Sequence, residues 1–501
     1  MTESKSSPVA QILRASAIVG AGSLANIVAG IIRNKVIALL LGPSGIGLYG
    51  LLYSVQSTAA TVVGMGLSNS GVRQIAEAQA ENDDCRLSAT RQSLWLASLA
   101  LGLLGSLILA LLARPIAEIA IGDFHHAGAI LWLSIGVLAL TLVGSKRATL
   151  NGFRRLGDLT KANVLGALSG LVLALLSIWH LGLNGIPLAI IAPALTTFAV
   201  AWWFTYRVNS IRAEFSWQDF VESLRNLFSL GFVFMTTALM TAGTQLAVRV
   251  IIRETLGIEA VGHFQAAWSI TTLYLGFILG AMGTDYYPRL TSVAKDQQAS
   301  NNMINQQCEI SLLLAGPVIL AMMALAALVV RLLYSGAFHE TILVLRWQLL
   351  GDLFRVASWP LPFILIAQGK GRVYFLTEFI ANLVYLGSTW VFIRLWGLEG
   401  AGISFLFMYL VCFFMTWFTA NLFNSFAWTR TNVFLIITLT CALMAVYVLT
   451  SFRERLPFVF ALLLTLTAAC YSFSRIRRSV TLDLLRSPRE ETSDFFSGPS
   501  L

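Results

Sequence analysis

The sequence predicts an all-α integral membrane protein, and three observations predict it. Hydrophobic residues fill 57% of the 501 positions and charged residues only 12%, about half the charge a soluble domain carries. The mean hydropathy is +0.75. Apolar runs such as 94–112, 164–178 and 459–470 approach or reach the roughly 17–25 residues that cross a bilayer as a helix. They lack the strict alternation of a closed β-barrel, so the spans are helical.

Taken in order, the hydropathy pattern predicts fourteen spans, at 15–41, 46–70, 93–113, 128–145, 163–181, 186–206, 227–254, 259–284, 308–330, 341–367, 375–396, 400–423, 432–452 and 457–474. An even number places both termini on one side. Of the 34 Lys and Arg residues, 23 fall in the loops on that side, four in the opposite loops and seven within spans. Basic residues concentrate in short cytoplasmic loops, so both termini are expected in the cytoplasm. The N-terminal apolar segment runs on past the 7–15 residues of a signal peptide and reads as a retained first span.

The same bias accounts for the net charge of +9 without nucleic acid. Lys146–Arg147, Arg154–Arg155 and Arg475, Arg477 and Arg478 lie beside span ends, where they meet anionic headgroups. The five cysteines are scattered and form neither a disulfide framework nor a metal-ligand pattern. No GxxxxGK[ST] phosphate loop, HExxH or GxSxG occurs, and no large external loop offers room for an enzyme's substrates. His125 and His126 beside Asp123 read as a surface pair. Trp202, Trp203, Trp390 and Trp396 fall near interfaces, where Trp is ordinarily enriched. No resident cofactor is expected.

An internal repeat organises the spans. LGPSGIGLYGLLYSV from Leu41 resembles LGIEAVGHFQAAWSI from Leu256, pairing Gly42 with Gly257, Gly47 with Gly262 and Tyr49 with Phe264 at an offset of 215 residues. Each copy turns an outgoing span into an incoming one, and each second span is expected to end at Met-Gly (Met65–Gly66, Met282–Gly283). Six spans separate the copies, so the repeats are parallel about an axis along the membrane normal. The predicted organisation is a cytoplasmic tail at 1–14, one six-span lobe at 15–206, a cytoplasmic linker at 207–226, a second lobe at 227–423, two further spans within 432–474 and a basic tail at 475–501. Two lobes related by a pseudo-twofold axis would enclose a central cavity.

The intramembrane charges are the candidate functional residues. A Lys or Arg at mid-bilayer costs about 3 kcal/mol or more unless it pairs, snorkels or faces water. Seven occur: Arg33, Lys35, Arg249, Arg253, Arg346, Arg355 and Arg394. At about 1.5 Å per residue, Arg33 lies roughly 13 Å from the turn at Gly42 and Arg249 about 12 Å from Gly257, so their depths match. Gln245, Arg249 and Arg253 share one face of span 7, as Asn26 and Arg33 share one of span 1. Two cationic faces suit an anion such as pyrophosphate, which Arg grips through a bidentate fork. Snorkelling or ion pairing is the alternative for Lys35, Arg253, Arg346 and Arg394 near span ends, with Glu254 able to neutralise Arg253. In span 10, Asp352 and Arg355 are three apart and can pair, with Trp359, Pro360 and Pro362 beyond them permitting a kink. That pair reads equally as a structural ion pair or as a coupling site for H+ or Na+.

LGPSGIGLYG, the segment TDYYPRLT at 284–291 and WQLLGDLFRVASWPLPFILIAQGKGRVYFLTE at 347–378 resemble the Wzx flippases, the polysaccharide branch of the multidrug/oligosaccharidyl-lipid/polysaccharide superfamily. The resemblance covers roughly residues 10–425. It implies a transporter and not an enzyme, moving an undecaprenyl-pyrophosphate-linked oligosaccharide across a bacterial cytoplasmic membrane by alternating access, with membrane lipids and polysaccharide polymerase machinery as partners. It also marks Asp352, Arg355 and Glu378 as motif positions for coupling or gating. Spans 13 and 14 depart from the many Wzx proteins that stop at twelve, and lipid II flippases have fourteen, so a lipid II-type cargo stays open. A cation-coupled multidrug antiporter would want acidic residues in the central spans, and span 1 has none. A membrane-embedded glycan-assembly enzyme would want an exposed catalytic constellation, and none is visible.

Epitope tags at Ser7, Gly157 and Ser493 should all report cytoplasm, and one at Glu340 the external side. A periplasmic Gly157 would overturn the span assignment.

Overall fold

A computed structural model describes residues 8–81, 83–207, 217–451 and 455–486. The positions of the Ser7 and Ser493 tags lie outside them, as do most of the expected tails and part of the 207–226 linker. Among the described residues the chain is helical and no strand occurs. In chain order the helices are α1 (Pro8–Gly64), α2 (Leu67–Ala80), α3 (Asp84–Leu111), α4 (Ala113–Ile121), α5 (Ala127–Gly152), α6 (Leu156–Leu181), α7 (Ile186–Tyr206), α8 (Trp217–Leu256) and α9 (Ile258–Val293). They continue as α10 (Gln297–Ala324), α11 (Ala326–Leu333), α12 (Thr341–Ser358), α13 (Pro362–Ala367), α14 (Gly371–Trp396), α15 (Leu398–Asn424), α16 (Arg430–Ser451) and α17 (Arg455–Arg486).

Among the described residues eleven helical segments are long and apolar enough to cross a membrane, and Val459–Arg475 is a shorter apolar helix. Three of the eleven are broken, Thr341–Ala367 between Ser358 and Pro362 and two others at glycines. Leu24–Gly64 contains Gly42, at φ 64 and ψ −161, a conformation open in practice to glycine alone. Pro43 follows it and lacks the N–H of the next ladder bond. Leu156–Tyr206 is interrupted by a 3-10 turn at Gly182–Gly185. Every expected span overlaps one of these segments, and the chain is a multi-pass membrane protein.

Several helices outrun the hydropathy pattern, because a helix does not stop where apolarity stops unless something breaks it. Thus α5 continues through Lys146 and Arg147 to Gly152, α8 starts at Trp217 and α17 runs on to Arg486. Only one of the two Met-Gly steps ends its helix. Met65 and Gly66 have φ 42 and φ 65 and break the chain there, with the Gly66 backbone against the Gly231 carbonyl. At Met282–Gly283 nothing forces a break, and α9 runs through to Val293.

The 215-residue offset extends far beyond the matched turn. Helices α6 and α14 have the same length of 26 residues, beginning at 156 and 371 and ending at 181 and 396. Asp83 and Asp296, 213 positions apart and so two short of that offset, cap the N-termini of α3 and α10 through backbone N–H groups. Such caps satisfy donors that no helical carbonyl can reach. The chain divides into two compact units, one of Met1–Ala266, Val330–Thr341 and Thr389–Leu398, the other of Ala267–Val329, Ile342–Ser388 and Glu399–Leu501. In the first, a Cβ on Gly136 of α5 would fall 2.6 Å from Ile191 of α7; in the second, one on Gly351 of α12 would fall 3.1 Å from Leu406 of α15. Both contacts sit at the same repeat positions, so each unit packs these helices in one register.

Close approach through small residues is the general device of membrane helix packing, where no hydrophobic force favours protein over lipid. Helices α6 and α7 illustrate it: Thr196 donates to the Gly166 carbonyl at 2.7 Å, and a Gly166 Cβ would fall 2.6 Å from the Thr197 Cα. Gly166→Val should therefore destabilise the detergent-solubilised protein by about 1–3 kcal/mol, read as a lower thermal-shift midpoint. Gly157→Ala meets nothing within 4 Å and should leave the midpoint where it is.

Candidate functional site

The first unit carries a pair of arginines, each set on an aromatic ring of the helical segment that follows it. Arg33 lies before the Gly42 break, and its guanidinium carbon sits 5.0 Å from the Tyr49 ring centroid after the break. Arg249 lies on α8 before the Gly257 break, 5.6 Å from the ring of Phe264 on α9. Tyr49 and Phe264 are partners in the repeat, so the two halves hold a cation in the same way. A cation over an aromatic face contributes about 0.5–2 kcal/mol and keeps the guanidinium edge available for hydrogen bonds.

Those edges are set differently. Arg249 is 4% exposed; its Nε donates to Gln265 Oε1 at 2.8 Å, and its Nη1 to the Gln245 backbone carbonyl and Oε1 at 2.7 and 3.0 Å. The i, i+4 spacing of Gln245 and Arg249 anticipates one contact. The Gln265 contact comes from α9 and has no signal in spacing. Gly50 makes room for it, since a Cβ there would fall 2.9 Å from Gln265 Cγ and Oε1. Arg33 is half-buried, its Nε is buried without a hydrogen-bond partner, and no carboxylate pairs with it among the described residues. Asn26 is occupied locally, its amide donating to the Gly22 carbonyl at 2.9 Å.

Lys35 and Arg253 part company with this pair. The Lys35 ammonium donates to the backbone carbonyls of Arg331 and Tyr334, and Arg253 Nη2 donates to the Ile119 carbonyl at 2.7 Å with Glu254 at 3.4 Å. Both point at helix ends and not at the Arg33 and Arg249 rings. Arg346 Nη2 donates to the Thr450 carbonyl at 3.0 Å, and Arg394 stacks 3.7 Å above Trp390. Lys146 is held over Trp95 and Trp202 at 3.9 and 4.3 Å.

The second unit holds the acid and base of α12. Asp352 is 0% exposed. Its Oδ2 accepts from the Tyr274 hydroxyl at 2.6 Å, while Arg355 Nη1 lies 3.8 Å from Oδ1. At that separation the pair is electrostatic but not hydrogen-bonded, and both atoms are buried without a hydrogen-bond partner. Tyr409 of α15 lies under the Arg355 guanidinium at 5.6 Å. The kink expected at the two prolines is present: α12 stops at Ser358 and α13 begins at Pro362. Glu378 on α14 is half-buried and forms no ion pair among the described residues. In the first unit, Asp123 accepts from the His125 N–H at 2.9 Å, and that bond holds its carboxyl below the usual range. No three His, Cys, Asp or Glu residues cluster as a metal site among the described residues.

The fold defines the class. It is that of the lipid II flippase MurJ in its inward closed conformation, with a TM-score of 0.69 at 14% identity over 93% of this chain and 100% of that one. An inward-facing multidrug resistance MATE family transporter of the MOP superfamily matches with a TM-score of 0.68 at 18% identity, over 81% of this chain and 94% of that one. The chain belongs to the polysaccharide biosynthesis protein family, which it matches over residues 12–294. Among curated relatives, the lipid III flippase of Escherichia coli (strain K12) is 23% identical over 414 residues, covering 80% of this chain and 96% of that protein.

Asp352→Asn keeps an oxygen for the Tyr274 hydroxyl and removes only the charge. If Asp352 exchanges a proton during transport, the variant should fold and bind cargo normally while transport loses its dependence on the pH gradient. Loss of monodisperse protein in size exclusion would instead make Asp352 a structural partner of Arg355.

Proposed function

We propose that this protein is a flippase that moves an undecaprenyl-pyrophosphate-linked oligosaccharide repeat unit from the cytoplasmic to the periplasmic leaflet of a bacterial inner membrane. It works by alternating access, with fourteen crossings and both termini cytoplasmic, and supplies a surface-polysaccharide polymerase. The observation that carries the reading is the repeated arginine-on-ring arrangement of Arg33 with Tyr49 and Arg249 with Phe264. Two guanidiniums at matched membrane depth are costly to bury for structure alone, and a pyrophosphate offers two anionic groups that a pair of forks can grip. Family membership and the flippase relative support the same cargo class.

Gln265 and Gln245 are positioning residues in this scheme. They orient the Arg249 fork through amide oxygens, which carry no net charge. Asp352, beside Arg355 and Tyr274, is the proposed exchange site for a coupling H+ or Na+. A cation-coupled drug antiporter fits less well, since Arg33 sits where an organic cation would be repelled.

Arg33→Ala or Arg249→Ala should weaken binding of a pyrophosphate-linked glycolipid by roughly tenfold to a hundredfold, given about 1.5–3 kcal/mol for a charge-assisted hydrogen bond. Arg→Lys should recover part of it. Gln265→Glu, which keeps the acceptor but neutralises its neighbour, should behave like Arg249→Ala with the thermal midpoint unchanged or raised. Equal affinity for the glycolipid and the neutral lipid alcohol, or full transport by the double alanine variant, would sink the proposal.

A further inference from the structure

Two short helices end in contacts that cross between the repeats. Helix α4 closes at Gly122, at φ 82, whose N–H donates to the carbonyls of Ala117 and Glu118. The carbonyl of Ile119 is taken by Arg253 of α8 at 2.7 Å, and a Cβ on Gly122 would fall 2.2 Å from Arg253 Nη1. At the end of α11, the carbonyls of Arg331 and Tyr334 are taken by the ammonium of Lys35 on α1. Ile119 and Tyr334 are 215 positions apart. One position in the repeat thus has its carbonyl capped twice, each time by a cation from the other copy. Carbonyls at a helix C-terminus lack helical donors and carry the negative end of the helix dipole, so a cation is the favoured cap and neither contact is a local accident of one helix.

The turns beside these caps meet in the same reciprocal way. A Cβ on Gly47 would fall 2.1 Å from the Ile258 carbonyl, and one on Gly262 would fall 2.0 Å from the Pro43 carbonyl. The Ser44 hydroxyl donates to Glu259 Oε1 at 3.0 Å. Pro43 and Ile258, Ser44 and Glu259, and Gly47 and Gly262 are all repeat partners. At the two glycines the contact is backbone on backbone. Its polar members Lys35, Ser44 and Arg253 are half-buried and Glu259 is exposed, so water can replace each bond as it parts.

We propose that Lys35 and Arg253 are gating residues: with the Ser44–Glu259 bond and the Gly47 and Gly262 contacts they form a releasable latch that holds the external ends of the two repeats together in this state. This reading removes both cations from the anion-binding set and gives them to the step that opens the path outward. It rests on the orientation given above, in which the Gly42 and Gly257 turns face outward. Neutralising both cations should favour separation of the turns, whereas a cation in the anion site would change cargo affinity instead.

The test uses the full-length protein with its five native cysteines replaced, and a single reporter, Ser44→Cys, in oriented vesicles. Lys35→Met with Arg253→Met should raise the rate at which a membrane-impermeant maleimide added outside labels the reporter, by fivefold or more, while binding of a pyrophosphate-linked glycolipid stays within twofold. Lys35→Arg with Arg253→Lys should return the labelling rate to that of the parent and guards against a folding artefact. A second variant, Ser44→Cys with Glu259→Cys joined by a short reducible thiosulfonate crosslinker, should stop transport until the linker is reduced. An unchanged labelling rate, a glycolipid affinity that falls as for Arg249→Ala, or transport through the crosslinked protein would each overturn the latch. Labelling needs no cargo, so it stands or falls apart from the flippase reading.

Discussion

Two glycines allow bare backbone to meet bare backbone, and the geometry of the cationic site follows from it. With any larger residue at Gly47 or Gly262, the carbonyls of Ile258 and Pro43 would be displaced, and the segment after the Gly42 break would slide along α9. Gly50 and Gln265 would then lose their register, and with it the bond from Gln265 that fixes the Arg249 fork. Tyr49 and Phe264 sit within one turn of the same contact, under their arginines. Small-residue packing is ordinarily a matter of affinity between membrane helices; here it also sets the alignment of two buried charges.

Buried cations in a membrane have few ways to be tolerated, and this protein uses three of them side by side. Lys35, Arg253 and Arg346 are spent on backbone carbonyls at helix ends, and Arg355 sits beside a buried carboxylate and a tyrosine ring. Arg33 and Arg249 lie on aromatic faces, Arg249 with amide oxygens as acceptors. Arg394 likewise lies over Trp390 at 3.7 Å, and neither ring faces nor amide oxygens carry a net charge.

The repeats differ at positions that are small in one unit and aromatic in the other. In the first unit Ser68 bonds the Gly144 carbonyl at 3.1 Å, and Gly71 lies beside Ala148. At the matching positions of the second unit Trp359 lies against Gly283, and Tyr286 meets Phe363 edge to face at 5.5 Å. Tyr286 also bonds the Pro360 carbonyl at 3.0 Å. The aromatic set brackets the break between α12 and α13, so the same backbone plan yields a closely packed small-residue step in one unit and a bulky, hydrogen-bonded kink in the other.

Local and periodic features were open to the sequence alone. Apolar runs long enough to span, the Gly42 and Gly257 breaks, the 215-residue offset, and the i, i+4 and i, i+3 neighbours of Arg249 and Asp352 all follow from helix geometry and bilayer thickness. Which cation serves which purpose was decided by tertiary structure. Lys35 and Arg249 look alike as isolated charges in apolar runs, yet one ends on the carbonyls of Arg331 and Tyr334 and the other on Gln265. Tyr274 reaches Asp352 from 78 residues away, and no spacing rule spans that distance. The carbonyl of Ile119 leaves no mark in the sequence at all, since every residue has one. A backbone acceptor becomes specific only when folding removes its helical partner and brings a donor to it.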